Sequence, residues 1–144
     1  MDEKKVHLRI VTPHEVRIDQ KADMVIMRSV DGDMGVLPGH EPTAAVLGDG
    51  ILHIIDGGTR QRMAVFGGIA EVRDNMVNIL TNSAERPEDI DRARAENDRE
   101  KFEQLLQERK DDLKIQSYQV LLRRALVQIE VSTYPNVSTE DEEE

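Results

Sequence analysis

Ala84-Glu85-Arg86-Pro87-Glu88-Asp89-Ile90-Asp91, residues 84–91, divides this chain in two. Pro87 sits where the first turn of a helix tolerates a residue without an N–H, and Glu88, Asp89 and Asp91 place negative charge at the positive end of the helix dipole. The stretch predicts a helix beginning near Pro87. Upstream the chain has a different character. All nine glycines of the 144 residues lie between Gly32 and Gly68, and none follows.

Before the divide, short β-branched runs alternate with turn chemistry. Val6-His7-Leu8-Arg9-Ile10 alternates apolar and polar residues, as does part of Arg60 to Phe66, the period of a strand with one buried face. Further strands are expected at Glu15 to Asp19, Met24 to Ser29, Ile51 to Ile55, Ile69 to Arg73 and Met76 to Leu80. Asp31-Gly32-Asp33, Asp49-Gly50, Asp56-Gly57-Gly58, Gly67-Gly68 and Arg73-Asp74-Asn75 are the connecting turns or bends. Many short strands with no helical segment between them read as an antiparallel sandwich or barrel.

After the divide, the apolar period becomes helical. A first helix is expected to about Arg109, then a turn at Lys110-Asp111-Asp112 with an Asp cap, then a second helix from about Leu113 to Val131. A connection this tight predicts an antiparallel hairpin. Tyr118, Leu121, Leu122, Ala125, Leu126 and Ile129 form a continuous stripe on the second helix. On the first, the polar run Glu96 to Lys101 interrupts Ile90, Ala93, Phe102, Leu105 and Leu106, so its docking face is weak. The fold class is therefore α+β: an antiparallel β-sandwich over residues 1–86, a two-helix hairpin over 87–133, and an acidic tail over 134–144 expected to be disordered.

Composition narrows the function. The net charge is −10, half of it in the run Glu140-Asp141-Glu142-Glu143-Glu144, and only four residues are aromatic, which argues against nucleic-acid binding. The absence of cysteine fits a reducing, cytoplasmic compartment, and there is no signal-peptide pattern or run of membrane-spanning length. His7, His14, His40 and His53 show no metal-ligand spacing, and His40-Glu41 lacks the second histidine of a zinc helix. No nucleophile elbow or phosphate-cradling Gly loop is present. No catalytic residue or metal site is expected.

Gly35-Val36-Leu37-Pro38-Gly39-His40-Glu41-Pro42, then Phe66-Gly67-Gly68-Ile69-Ala70-Glu71-Val72, then Ala84-Glu85-Arg86 resemble, in order and spacing, the epsilon subunits of bacterial F-type rotary ATP synthases. The resemblance covers residues 4–133. It implies a non-catalytic sandwich that binds the gamma subunit of the central stalk and the c-subunit ring, at the cytoplasmic face of the inner membrane. On that analogy the loop Val30 to Met34, with Asp31, Gly32 and Asp33, and the segment with Leu37, Pro38, Gly39, His40 and Pro42 are contact candidates. The resemblance also implies a hairpin that can extend toward the catalytic beta and alpha subunits and restrain ATP hydrolysis, with Lys114, Arg123 and Arg124 as its basic residues. A free-standing adaptor or chaperone using a helical hairpin is the alternative.

Some members of that family bind ATP as a regulatory ligand through Ile or Leu, Asp, two variable residues, Arg, Ala. Ile90-Asp91-Arg92-Ala93-Arg94-Ala95 matches in full, so Ile90, Asp91, Arg94 and Ala95 are nucleotide candidates, joined by Glu85 and Arg124. A carboxylate and a guanidinium three residues apart on one helix face suit a base and a phosphate, respectively. A purely structural use of Asp91 and Arg94 stays open. Lys101 and Gln128 depart from the pattern, standing where the best binders have arginine, which removes the bidentate fork.

Overall fold

The computed structural model describes residues 4–133 and the backbone of residues 137–138. Eight strands come first: β1 (Val6–Val11), β2 (Val16–Ala22), β3 (Met24–Ser29), β4 (Gly32–Val36), β5 (Thr43–Asp56), β6 (Thr59–Arg73), β7 (Met76–Leu80) and β8 (Ala84–Glu85). A single 3-10 turn (Pro87–Asp89) leads to helix α1 (Arg92–Glu108), a second such turn (Asp112–Lys114) to helix α2 (Ile115–Thr133), and strand β9 (Val137–Ser138) follows.

The strands form one sheet in the order β2-β1-β7-β6-β5-β3-β4, with β8 and β9 added along β6. Although β2 and β4 are opposite edges of that order, Ile18 of β2 and Val36 of β4 belong to one core, together with Leu8, Ile10, Met27, Leu52, Ile54 and Ile79. A sheet whose two edges share a core must fold over on itself, which makes the sandwich. The fold line runs through the glycines. Leu47 faces Gly68 and Asp49 faces Phe66, so Gly48 of β5 lies beside Gly67 and Gly68 of β6. Gly67 and Gly68 have φ of 72° and 123°, values that side chains rarely adopt, and a Cβ on Gly68 would lie 2.3 Å from the Leu80 carbonyl oxygen.

The expected strands are all present, and two features differ from the sequence reading. Asp49-Gly50 and Gly67-Gly68 bend continuous strands of 14 and 15 residues instead of ending them. The sheet is not wholly antiparallel, because β1 runs parallel to β7 from His7↔Met76 to Val11↔Leu80. The whole meander between them carries the chain back, so no crossover helix is needed.

Helix α1 begins at Arg92, later than the predicted start near Pro87. Pro87 opens only a single turn, Ile90 is extended at φ −95° and ψ 128°, and Asp91 is the N-cap. The Asp91 carboxylate accepts from the Arg94 backbone N–H at 3.1 Å, satisfying one of the first-turn donors. Arg109, left-handed at φ 50°, ends α1, and the Asp111 carboxylate accepts from Leu113 N–H at 3.1 Å before α2. The two helices pack on each other, with the Phe102 and Tyr118 rings 5.9 Å apart, and α2 lies on β5 and β6.

The segment joining sheet to helices is fixed to β2. Arg17 pairs with Asp89 and donates from Nε to the Ala84 carbonyl at 3.1 Å, while Arg86 donates back to the Arg17 carbonyl. Glu15 and Asp89 hold the Arg17 guanidinium pKa above its ordinary value. Of the tail over residues 134–144 expected to be disordered, residues 134–136 and 139–144 lie outside the described residues. Within it, Val137 and Ser138 pair antiparallel with Arg60 and Thr59, a short strand that the charge run gave no reason to expect.

Candidate functional site

The contact between helices and sheet is small. Val131 of α2 is buried with Ala64 and Phe66 of β6, and Ile51, Val127 and Ile90 pack around them. Two polar links flank this cluster. The Arg124 guanidinium donates to Asp49 Oδ2 at 3.1 Å and lies over the Phe66 ring at 5.5 Å. The Gln128 amide donates to Glu85 Oε1 at 2.8 Å. At about 25 cal/mol per Å² of buried apolar surface, a cluster of this size contributes only a few kcal/mol.

The docking face differs from the predicted stripe. Leu121 and Leu126 are 41% and 46% exposed, whereas Val127 and Val131 touch the sheet. Tyr118 meets Phe102 of α1, so α2 divides its apolar residues between two partners. Val127, Val131, Arg124 and Gln128 recur at three and four residues, the spacing that could have identified the sheet-facing side.

The nucleotide candidates gather in part. Glu85 extends β6 through its pairing with Ala64, Ile90 joins the Phe66 cluster, and Arg124 stacks on Phe66 itself. Asp91 and Ala95 stand at the start of α1, Asp91 as cap and Ala95 buried. Asp91 and Arg94 do not share a helix face as expected, because Asp91 precedes the helix and its carboxylate is occupied by the Arg94 N–H. The Arg94 side chain is exposed. Lys101 lies over the Phe102 ring at 5.4 Å. A cleft of about 750 Å³ beside α2 is lined by Arg123 and Asp49, and none of the six nucleotide candidates lines it.

The partner candidates lie at the hairpins of the sheet. Asp31 is in the β3–β4 turn, where Ser29 Oγ donates to the Gly32 carbonyl at 2.7 Å, and Gly32 and Asp33 belong to β4, not to a loop. Pro38-Gly39 forms a tight turn, closed by His40 N–H donating to the Leu37 carbonyl at 3.2 Å, with Gly39 at φ 86°. Gly39 N–H also donates to Asn75 Oδ1 at 2.7 Å, which ties this turn to the β6–β7 turn. Leu37 is 54% exposed at its tip. Lys114 is exposed in the turn before α2.

One surface escaped the sequence reading. Val46, Ile69 and Leu80 are each more than half exposed, and they are direct cross-strand neighbours, Val46↔Ile69 and Ile69↔Leu80. Val11 continues the row opposite Leu80, and exposed Val30 adjoins Val46 through its N–H bond to the Val46 carbonyl. An apolar row across four strands on the outer face points to a partner. Its signal was available: Val46-Leu47, Ile69-Ala70 and Ile79-Leu80 are adjacent apolar pairs in which one member faces the core and the other must face out.

Residues 5–87 match the family described as ATP synthase, Delta/Epsilon chain, beta-sandwich domain, and residues 88–133 its long alpha-helix domain. The chain belongs to the ATP synthase delta/epsilon chain family. It is 39% identical over 127 residues to the ATP synthase epsilon chain of Herpetosiphon aurantiacus, covering 88% of this chain and 93% of that one. It is 45% identical over 106 residues to that of Desulforudis audaxviator, covering 74% and 77%. A chain in the cryo-EM structure of the Euglena gracilis mitochondrial ATP synthase OSCP/F1/c-ring is similar at a TM-score of 0.78 and 27% identity, over 93% of this chain and 84% of that one. The family's two domains meet at residues 87 and 88, within the 3-10 turn that Arg17 fixes to the sheet. Among the described residues no group could hold a metal ion, and no helix is long and apolar enough to cross a membrane.

Proposed function

We propose that this chain is a non-catalytic rotor subunit of the central stalk of an F-type ATP synthase. Its sandwich couples proton-driven rotation to ATP synthesis by binding the gamma subunit and the c ring, peripheral to the cytoplasmic face of the inner membrane. Its helical hairpin leaves the sheet to restrain ATP hydrolysis at the beta and alpha subunits. The observation that carries this reading is the contrast between a large shared sheet core and a thin helix contact of Phe66, Ala64 and Val131. The row Val46, Ile69, Leu80 supplies the partner face, with the Leu37–Pro42 turn beside Asn75 as a second contact. Because Arg17 and Arg86 hold the segment through Asp89, the hinge falls at Ile90-Asp91, where the backbone is extended and the helix has not begun.

Truncating the chain after Asp91 in the assembled enzyme should raise ATP hydrolysis severalfold and leave assembly intact. An unchanged hydrolysis rate in a fully assembled complex would refute inhibition by the hairpin.

ATP fits the same junction as a regulatory ligand that favours the docked hairpin, using Glu85, Ile90, Asp91, Arg94, Ala95 and Arg124. A ligand bound only by the docked form shifts the equilibrium by its differential affinity. Glu85 and Arg124 are already satisfied by Gln128 and Asp49, so the nucleotide must exchange those bonds, and the affinity is expected to be low. Titration with ATP should move the amide signals of Asp91 to Ala95 and Arg124, and Arg94→Ala should abolish the response. Spectra unchanged at millimolar ATP would refute this role.

A further inference from the structure

The helical hairpin leaves the sheet and returns to it on one edge of one strand. Just before the helices, β8 pairs with β6, Ala84 opposite Val65 and Glu85 opposite Ala64. After α2 ends at Thr133, β9 pairs with the same strand, Val137 opposite Arg60 and Ser138 opposite Thr59. Over these positions β5 occupies the other edge of β6, from Asp56↔Thr59 to Gly50↔Val65, so β8 and β9 share the edge that remains. Between and beside the two pairings, Ala64 and Phe66 receive Val131 of α2.

The return is short. Residues 134–136 alone separate Thr133 from Val137, and at about 3.5 Å per extended residue those four steps reach about 14 Å. Arg60 stands four residues from Ala64, about 13 Å along the strand. While β9 is paired, the end of α2 therefore cannot retreat more than about 14 Å from Val137. Helix α2 has 19 residues and is about 28 Å long, so it cannot swing away from the sheet by its own length. The hold is nevertheless slight. Two paired residues contribute one or two net hydrogen bonds, enough to bias an equilibrium and too few to lock it.

We propose that β9 is a latch: its pairing with β6 holds the exit of the hairpin, and it must unpair before α2 detaches from Ala64 and Phe66. Entry and exit are unequal. The entry is fixed by β8 and again by Arg17 with Asp89, whereas the exit returns to the sheet through the two residues of β9. The hairpin thus opens from its C-terminal end and turns about Ile90-Asp91. Release in the enzyme rests on the proposed movement of the hairpin, whereas the hold on α2 exists in the isolated chain.

The chain has no cysteine, so a single disulfide can be placed across the latch. Directly opposed residues of antiparallel strands have Cα atoms about 4.5–5.5 Å apart, within the range that a disulfide spans. Thr59→Cys/Ser138→Cys should close an intramolecular disulfide under mild oxidation. Hydrogen exchange of the Val127 to Val131 amides in the isolated chain reads the joint. Oxidation should slow it severalfold, and the reduced form should match the unaltered chain. The opposite change is Val137→Pro/Ser138→Pro. Of two consecutive strand residues one directs its N–H at the partner, and this variant removes that donor whichever it is, with the sequence of the sheet from β1 to β8 untouched. Exchange should speed about three- to tenfold, the factor for one net hydrogen bond, while β1 and β7 keep their protection. Failure of the disulfide to form, or unchanged exchange in either variant, would overturn the latch. In the assembled enzyme the oxidised chain should hydrolyse ATP as fast as the chain ending at Asp91. Hydrolysis raised by the truncation but not by the disulfide would show that release does not require β9 to unpair. No rise from the truncation itself would refute the inhibitory hairpin, and the exchange measurement would still decide the latch.

Discussion

Val131→Asp detaches the two helices from the sheet and leaves the sheet folded. Val131 has no exposed surface, and it meets Ala64, also fully buried, and Phe66. A carboxylate there would sit against Ala64 and Phe66 in place of an apolar side chain, a cost of several kcal/mol. The joint itself is worth only a few kcal/mol, so opening is the cheaper response. The large core is elsewhere: Leu8, Ile10, Leu52, Ile54 and Ile79 do not belong to the Val131 cluster. Amide exchange should therefore rise by at least an order of magnitude in α2 while β1 and β7 keep their protection. The helices retain each other through Phe102 and Tyr118, so helical circular dichroism should fall only in part. Loss of protection in β1 and β7 together with α2 would show that sheet and helices are one cooperative unit, and would end the case for a separable hairpin.

What the sequence disclosed follows from which interactions are local. The strands at Val6, Met24 and Met76, the turn at Asp111 and the helical pair were legible because alternation, capping and turn residues act within a few positions. Gly67-Gly68 was legible as a bend, but whether β6 ends there depends on β5 bending beside it, a relation between residues as far apart in sequence as Leu47 and Gly68. The parallel pairing of β1 with β7 is longer in range still, and no local pattern encodes it. At the candidate site the ambiguity was chemical. An Asp three residues before an Arg reads as a ligand pair on a helix, and the same spacing is that of an N-cap whose carboxylate receives the third N–H, a bond that Asp91 makes here. Pro87 misled for the opposite reason: its fixed φ suits any first turn, including one that stops after Asp89.

The two glycine bends also explain how one short sheet serves two surfaces. Before the bend in β6, Ala64 and Phe66 receive α2; before it in β5 and after it in β6, Val46 and Ile69 face outward. The same pair of strands thus carries the detachable joint and the apolar row, and a rigid bend keeps their spacing fixed. Motion of the helices need not disturb the partner face.

Charging that row should abolish assembly while sparing the fold. Val46→Asp, Ile69→Asp and Leu80→Asp place three carboxylates on neighbouring strands, on side chains that are 58%, 53% and 59% exposed. In the isolated chain the cost is repulsion among solvated charges and some lost β-propensity, on the order of 1–2 kcal/mol, which a sheet core of this size can absorb. In a complex the same groups would have to be desolvated against an apolar partner, several kcal/mol each when unpaired. Loss of association by three orders of magnitude or more is expected, read as failure of the variant to co-purify with gamma and the c ring at a melting temperature within a few degrees of the unaltered chain. The single change Arg9→Asp is the control: Arg9 is an exposed β1 residue outside the row, and it should leave association intact. Retained binding by the triple variant would place the partner contact elsewhere, on the Leu37–Pro42 turn, and would leave the exposed apolar row without a function.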